Sequence, residues 1–242
     1  MTEPRIASRQ EWLEARRALL EREKAHTRER DALAAVRRAL PWVRVDKRYS
    51  FDTPDGTRDL AGLFGDKSQL IVKHFMFGPD WTDGCVGCSF LSDHLDGQPL
   101  RHLAQRDVAY VAVSRASLPM ITAFRDRMGW SFPWVSSFGS DFNHDFGVSF
   151  TPQQQRDGAE YNYRAGLPGS DEMTGMSVFA RDGAGAVFHT YSCYARAGEA
   201  VLSVYALLDL TPRGREETLR GNLSEWVRHH DRYADAAADC CH

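Results

Sequence analysis

LIVKHFMFGPDWTDGCVGCSF, residues 70–90, decides how this chain folds. Its first eight residues form a nearly continuous apolar run bounded by turn residues, the pattern of a strand covered on both faces. A loop at residues 78–84 follows. Cys85-Val86-Gly87-Cys88 then opens a segment whose apolar positions Phe90, Leu91, Leu95, Leu100 and Leu103 recur at mostly helical spacing, with a break at Gly97 and Pro99. Residues 107–114 (DVAYVAVS) read as a second buried strand. A C-x-x-C between a buried strand and a helix of a βαβ pattern points to redox chemistry. Sulfurs three residues apart at a helix start are close enough to bridge. The unpaired N–H groups and the helix dipole there stabilise a thiolate, bringing a thiol pKa into the range of roughly 3.5–7.5. Cys85 is then the nucleophile and Cys88 the resolving thiol. The bland alternative is a pair of inert, buried cysteines.

Outward from this unit, residues 118–128 read as a helix ended by Gly129, and residues 130–137 as a third extended segment that Pro133 assigns to an edge or an irregularity. Residues 138–174 are rich in Asp, Asn, Gln, Gly and aromatics without a clear period, an insertion expected to cover something. Residues 175–181 and 186–193, joined by Asp182-Gly183-Ala184-Gly185, form a β-hairpin. Upstream, Pro54-Asp55-Gly56 marks another hairpin. Residues 5–40 hold no Gly or Pro and are expected to be a helix ended by Pro41, with a polar, solvated middle. The expected organisation is a helical arm at 1–42, a domain at 43–233 carrying the insertion 138–174, and a frayed tail at 234–242.

The chain has 242 residues, 43% of them hydrophobic and 26% charged, which suits one folded domain with an arm and excludes a disordered or collagen-like chain. A net charge of −3 gives no field to hold a polyanion, so nucleic acid is not an expected partner. No apolar run approaches the roughly eighteen residues of a membrane span. The start, MTEPRIASRQEW, lacks an export pattern, so a cytoplasmic location is expected. Five cysteines in such a chain make no disulfide framework, and a close pair in a reducing compartment reads as redox or metal chemistry.

The order of strand, C-x-x-C, helix, strand, helix and late hairpin resembles the thioredoxin fold. More closely, HFMFGPDW (74–81), GCVGCSF (84–90), MGWSFPWVSSFGSDFNHDFGVSF (128–150), VFHTYSCYARAG (187–198) and LDLTPRGREE (208–217) resemble the bacterial DUF899 family of thioredoxin-like proteins, over about residues 15–233. The resemblance implies an α/β thioredoxin-like fold: a central mixed sheet with flanking helices, an N-terminal helical extension and a long insertion before the C-terminal β-hairpin. It leaves the chemistry to the site, since one fold hosts many activities. Two departures from thioredoxin stand out. Thr174 or Gly175 occupies the place of the cis-proline, and Val86-Gly87 replaces the Gly-Pro dipeptide.

Further candidates surround the cysteines. His74 falls about where thioredoxins keep a buried acid, and is expected either to relay the resolving thiol's proton or to be a neutral core histidine. Strand alternation places His189, Tyr191 and Cys193 on one face, making His189 a candidate base or third ligand and Cys193 a small core side chain. If Cys85, Cys88 and His189 converge, two thiolates and an imidazole suit copper(I) or zinc, with His144 as a further candidate ligand. Asp80 and Asp83 oppose thiolate formation unless Arg115 or another cation offsets them. Trp81 is expected to lid the site or pack beneath it, and Trp81, Tyr191 and Arg115 are the expected substrate-facing groups. Cys240-Cys241-His242 is a candidate shuttle or metal hook, or an incidental end. The leading expectation is a thiol-disulfide oxidoreductase that needs no cofactor and acts on a small-molecule or protein thiol or disulfide. The alternatives are a Cys/His copper or zinc protein and a redox-inactive interaction module. The charged arm and the tail leave room for a homodimer.

Overall fold

A parallel β-α-β unit, spanning residues 69–114, organises the sheet of this protein. The computed structural model describes residues 5–217 and 225–233. The chain divides into two units, residues 1–41 and residues 42–242. The first holds α1 (Arg9–Arg38), in which no side chain is buried. Ser8 caps it: its hydroxyl accepts from the Glu11 backbone while the Glu11 carboxylate accepts from the Ser8 N–H. Along it, Glu21 pairs with Lys24 at 2.9 Å, one turn on.

The second unit contains β1 (Val43–Arg44), β2 (Ser50–Thr53), β3 (Gly56–Asp59), β4 (Gln69–His74), α2 (Val86–Leu95), α3 (Gln98–Gln105), β5 (Val108–Ser114), α4 (Leu118–Arg127) and β6 (Trp134–Ser136). The insertion then contributes α5 (Phe142–Asp145), α6 (Pro152–Asp157), β7 (Ala159–Tyr161) and β8 (Arg164–Gly166), so it is built of short elements. The chain continues through β9 (Gly175–Arg181), β10 (Val187–Tyr194) and α7 (Ser203–Leu208). One sheet orders its strands β1-β10-β9-β4-β5-β6-β2-β3, and β7 and β8 pair separately. β4 runs parallel to β5 and antiparallel to β9, and β9 pairs antiparallel with β10. A β-α-β unit with an antiparallel hairpin added beside its first strand is the thioredoxin-like arrangement, so the fold is α/β and thioredoxin-like. β6 lies inside the sheet between β5 and β2. The edge that Pro133 suggested is therefore absent: Pro133 precedes the strand, and its carbonyl accepts the Ala112 N–H at 2.9 Å. Among the described residues no helix is long and apolar enough to cross a membrane.

Alternation along β4 assigns the two faces of the sheet. Leu70 and Val72 point into a cluster with Phe51, Phe64, Phe142 and Phe179. On the other face, Phe75, Ala112, Ile121, Phe124, Trp130 and Trp134 form a second cluster that includes Cys88. α2 and α4 cover this second face, as their buried Cys88, Ile121 and Phe124 show.

Candidate active site

Residues 75–84 carry the chain from the end of β4 to the head of α2, and Gly84 makes that path fit. A β-carbon there would come within 2.8 Å of the Phe75 ring and 3.0 Å of the Phe124 ring. The Gly84 carbonyl accepts from His229 Nε2 at 2.9 Å. Arg127, which can only donate, meets the other ring nitrogen at 3.0 Å, so Nδ1 is the acceptor and Nε2 carries the proton. Cys85 is the N-cap of α2, its amide donating to the Met76 carbonyl at 3.0 Å. Its side chain makes no capping hydrogen bond, but it lies at the end of the helix where the first-turn N–H groups are open, and the Cys88 and Gly87 amides oppose the rise in its pKa.

Cys85 is half-buried and Cys88 is 3% exposed. The two thiols hydrogen-bond each other and share one ionisation. Cys88 is pulled down to about 5, first by the hydrogen bond from Cys85 and, against the cost of burial, by the Lys73 ammonium, the Thr174 hydroxyl and the Met76 amide. Cys85 is pushed well above the usual thiol range by the same hydrogen bond, by burial and by the charge on Cys88. The pair therefore loses one proton early and holds the second.

Lys73 is the group that sequence reasoning missed. It is 2% exposed, and its ammonium donates to Thr174 Oγ1, whose hydroxyl lies 3.5 Å from Cys88 Sγ. Lys73 shares its face of β4 with Phe75, so it points toward the cysteines. His74 points the other way. Its ring lies against Phe142 and Phe146, and its Nε2 bonds Ser177 Oγ at 2.8 Å. The relay expected of His74 to Cys88 is thus corrected: the place beneath the cysteines belongs to the preceding residue, which is a cation. A charged residue inside an apolar run was the available signal.

His189 is also on the far face. It pairs with Phe179 in register, packs against Phe146 and Phe179, and its Nε2 bonds Ser192 Oγ at 2.7 Å. A register shift between His189 and Tyr191 breaks the alternation, sending Tyr191 and Cys193 to the cysteine face and His189 away from it. Cys85, Cys88 and His189 therefore do not converge. His144, in α5, bonds the Ser149 carbonyl at 2.9 Å. Among the described residues, no group of three or more His, Cys, Asp or Glu side chains is arranged to hold a metal ion.

The remaining candidates brace the site. Arg115 turns to the buried Glu172 at 3.0 Å, and Glu172 also accepts from Ser149 Oγ at 2.6 Å. Arg115 is thus neither a lining residue nor the offsetting cation. Trp81 donates to Asp171 at 3.3 Å and packs against the α2-side cluster, tying the cysteine loop to the insertion. Asp83 is neutralised by Arg127 and Arg232. Cys240, Cys241 and His242 lie outside the described residues.

Both thiols line a cavity of about 510 Å³. Thr174, Met173 and Tyr161 reach it from the insertion, and Cys193, Glu199 and Tyr205 from the segments after β9. Cys193 is half-buried there, where sequence reading expected a core side chain. Tyr191 is on the cysteine face but is not among the lining residues. Gly175 leaves room for the ring of its cross-strand partner Tyr194, since a β-carbon would come within 2.7 Å of that ring.

The family described as a bacterial protein of unknown function (DUF899) matches residues 1–233. No curated protein matches the chain. Solved structures similar to it include a cysteine-to-serine mutant of PrxQ from Xylella fastidiosa, at 14% identity and a TM-score of 0.43, covering 69% of this chain and 94% of that one. Peroxidoxin BcpB of Mycobacterium tuberculosis follows at 13% and 0.42, covering 68% and 97%. Peroxiredoxin Q of Xanthomonas campestris is similar at 18% and 0.42, covering 69% and 96%.

Proposed function

The chain belongs to the DUF899 family, and we propose that it is a thiol-disulfide oxidoreductase whose Cys85–Cys88 pair cycles between dithiol and disulfide. The observation that carries this reading is the buried Lys73 ammonium set beside Cys88, through Thr174, on the floor of a site that both thiols line. A cation costs several kcal/mol to bury and is retained where it holds a negative charge. Here that charge is the thiolate of the pair.

The half-buried sulfur, Cys85, is the one a substrate reaches. Cys88 accepts the Cys85 proton along their hydrogen bond, and the resulting Cys85 thiolate sits at the N-terminus of α2, where the open first-turn amides and the helix dipole stabilise it. Attack on a substrate disulfide forms a mixed disulfide at Cys85 and expels one thiolate. Cys88 returns its proton to the first expelled thiolate and then attacks Cys85 Sγ as the thiolate, expelling the second thiolate and closing the Cys85–Cys88 bridge. Two electrons pass from the pair to the substrate.

Trapping tests the assignment. Treated with hydroxyethyl disulfide, Cys88→Ser is expected to accumulate a stable adduct at Cys85, read by peptide mass, while Cys85→Ser gives little adduct at position 88. The reverse pattern would exchange the two roles, and no adduct in either variant would sink the reading.

A further inference from the structure

We propose that the oxidised substrate is a small disulfide with uncharged, apolar substituents, bound inside the cavity that the two cysteines line; this rests on the redox reading above. At about 510 Å³ the cavity lies within the roughly 300–1,000 Å³ typical of small-molecule sites. Its walls include Met76, Leu91, Met173, Met176 and Leu202. Thioether side chains are polarisable and flexible, and so accept alkyl or aromatic groups of varied shape.

The charged groups around the cavity are already engaged. Lys73 bonds Thr174 and serves the cysteine pair. Arg196 grips Glu199 through two nitrogens at 2.8 and 3.2 Å, and Glu199 also pairs with Arg215 at 3.1 Å. A substrate carrying carboxylates or ammonium groups would have to compete with these pairs for its partners. The two elaborations of the thioredoxin-like core, the insertion and the segment after β10, both wall this space. A cystine within a protein would have to bring its flanking backbone into the volume those walls occupy. A small disulfide brings only its substituents, which leave as two thiols while the pair becomes a disulfide.

The test uses the full chain carrying Cys193→Ser, Cys240→Ser and Cys241→Ser, reduced and freed of reductant. It is mixed separately with dipropyl disulfide, glutathione disulfide and insulin, and bridge formation is followed by intact mass. Each rate is divided by that of dithiothreitol with the same oxidant, which removes intrinsic reactivity. The expected result is a normalised rate for dipropyl disulfide at least about tenfold above the other two, the scale on which an apolar pocket discriminates. Equal normalised rates, or a preference for insulin or glutathione disulfide, would overturn the substrate class while leaving the redox pair in place. Failure to form the bridge with all three would overturn the redox reading and this proposal with it. Met176→Glu on the wall is expected to lower the ratio of the dipropyl disulfide rate to the glutathione disulfide rate about tenfold; an unchanged ratio would overturn the binding mode.

Discussion

In the proposed redox cycle, Lys73 helps set the pH at which the cysteine pair becomes reactive. Its ammonium and the Thr174 hydroxyl help hold Cys88 at about 5, so the pair carries a thiolate throughout the neutral range. Lys73→Met retains the apolar stem and removes the charge. The pH midpoint of iodoacetamide alkylation is expected to rise by about one unit or more, a change of at least ~1.4 kcal/mol in thiolate stabilisation. An unchanged midpoint would show that the hydrogen bond from Cys85 suffices alone. The sequence brought this residue within one position of being found. The run LIVKHFMF displayed both titratable side chains, and the analogy with thioredoxin selected His74. Strand alternation decides between neighbours, and it becomes usable only once Leu70 and Val72 are known to face away from α2.

Across β4, β9 and β10, a polar chain crosses the far face of the sheet: His74 to Ser177, Ser177 to Ser192, and Ser192 to His189, at 2.8, 2.8 and 2.7 Å. His74 is held down to about 3, chiefly by burial and then by the charges of Lys73 and His189. The unfolded chain binds this proton below about 6.5, the native protein only near 3. Its contribution to stability is therefore complete above pH 6.5 and is lost as the pH falls toward 3. Glu172, which fastens the insertion to Arg115, runs the other way. Burial pushes it up to about 7 against the Ser149 hydrogen bond and the Arg115 charge, so its contribution is present below pH 4.5 and is lost as the pH rises to 7. Urea unfolding across pH separates them. The wild-type advantage over His74→Met is expected to grow with pH between 3 and 6.5, by up to about 1.4 kcal/mol per unit. The wild-type advantage over Glu172→Gln is expected to shrink between 4.5 and 7. Flat differences would contradict both assignments. The strands themselves were legible from their apolar runs and turn residues. The facing of His189 was not, because one extra residue at the bulge reverses every later side chain and nothing in HTYSCY marks it.

At the scale of the second unit, the β-α-β core presents the cysteines and the later additions fasten and enclose them. The insertion joins the cysteine loop through Asp171 and Trp81, and residues near the C-terminus reach Gly84 through His229. His229→Phe preserves the ring packed on Phe124 but deprives a buried carbonyl of its donor. The expected cost is about 1–3 kcal/mol of unfolding free energy in urea, and a value near zero would place the fastening elsewhere. The core order was readable because periodicity and turn chemistry are local. The cavity was not, since its walls come from segments far apart in sequence whose meeting depends on the fold. The chain carrying Cys193→Ser, Cys240→Ser and Cys241→Ser, leaving only the pair, is equilibrated in mixtures of reduced and oxidised dithiothreitol and its intact mass is read. A working Cys85–Cys88 couple shows a reversible loss of two hydrogens with a single midpoint, abolished by Cys85→Ser or Cys88→Ser. A mass that stays at the dithiol value in every mixture, including fully oxidised dithiothreitol, would contradict the redox reading.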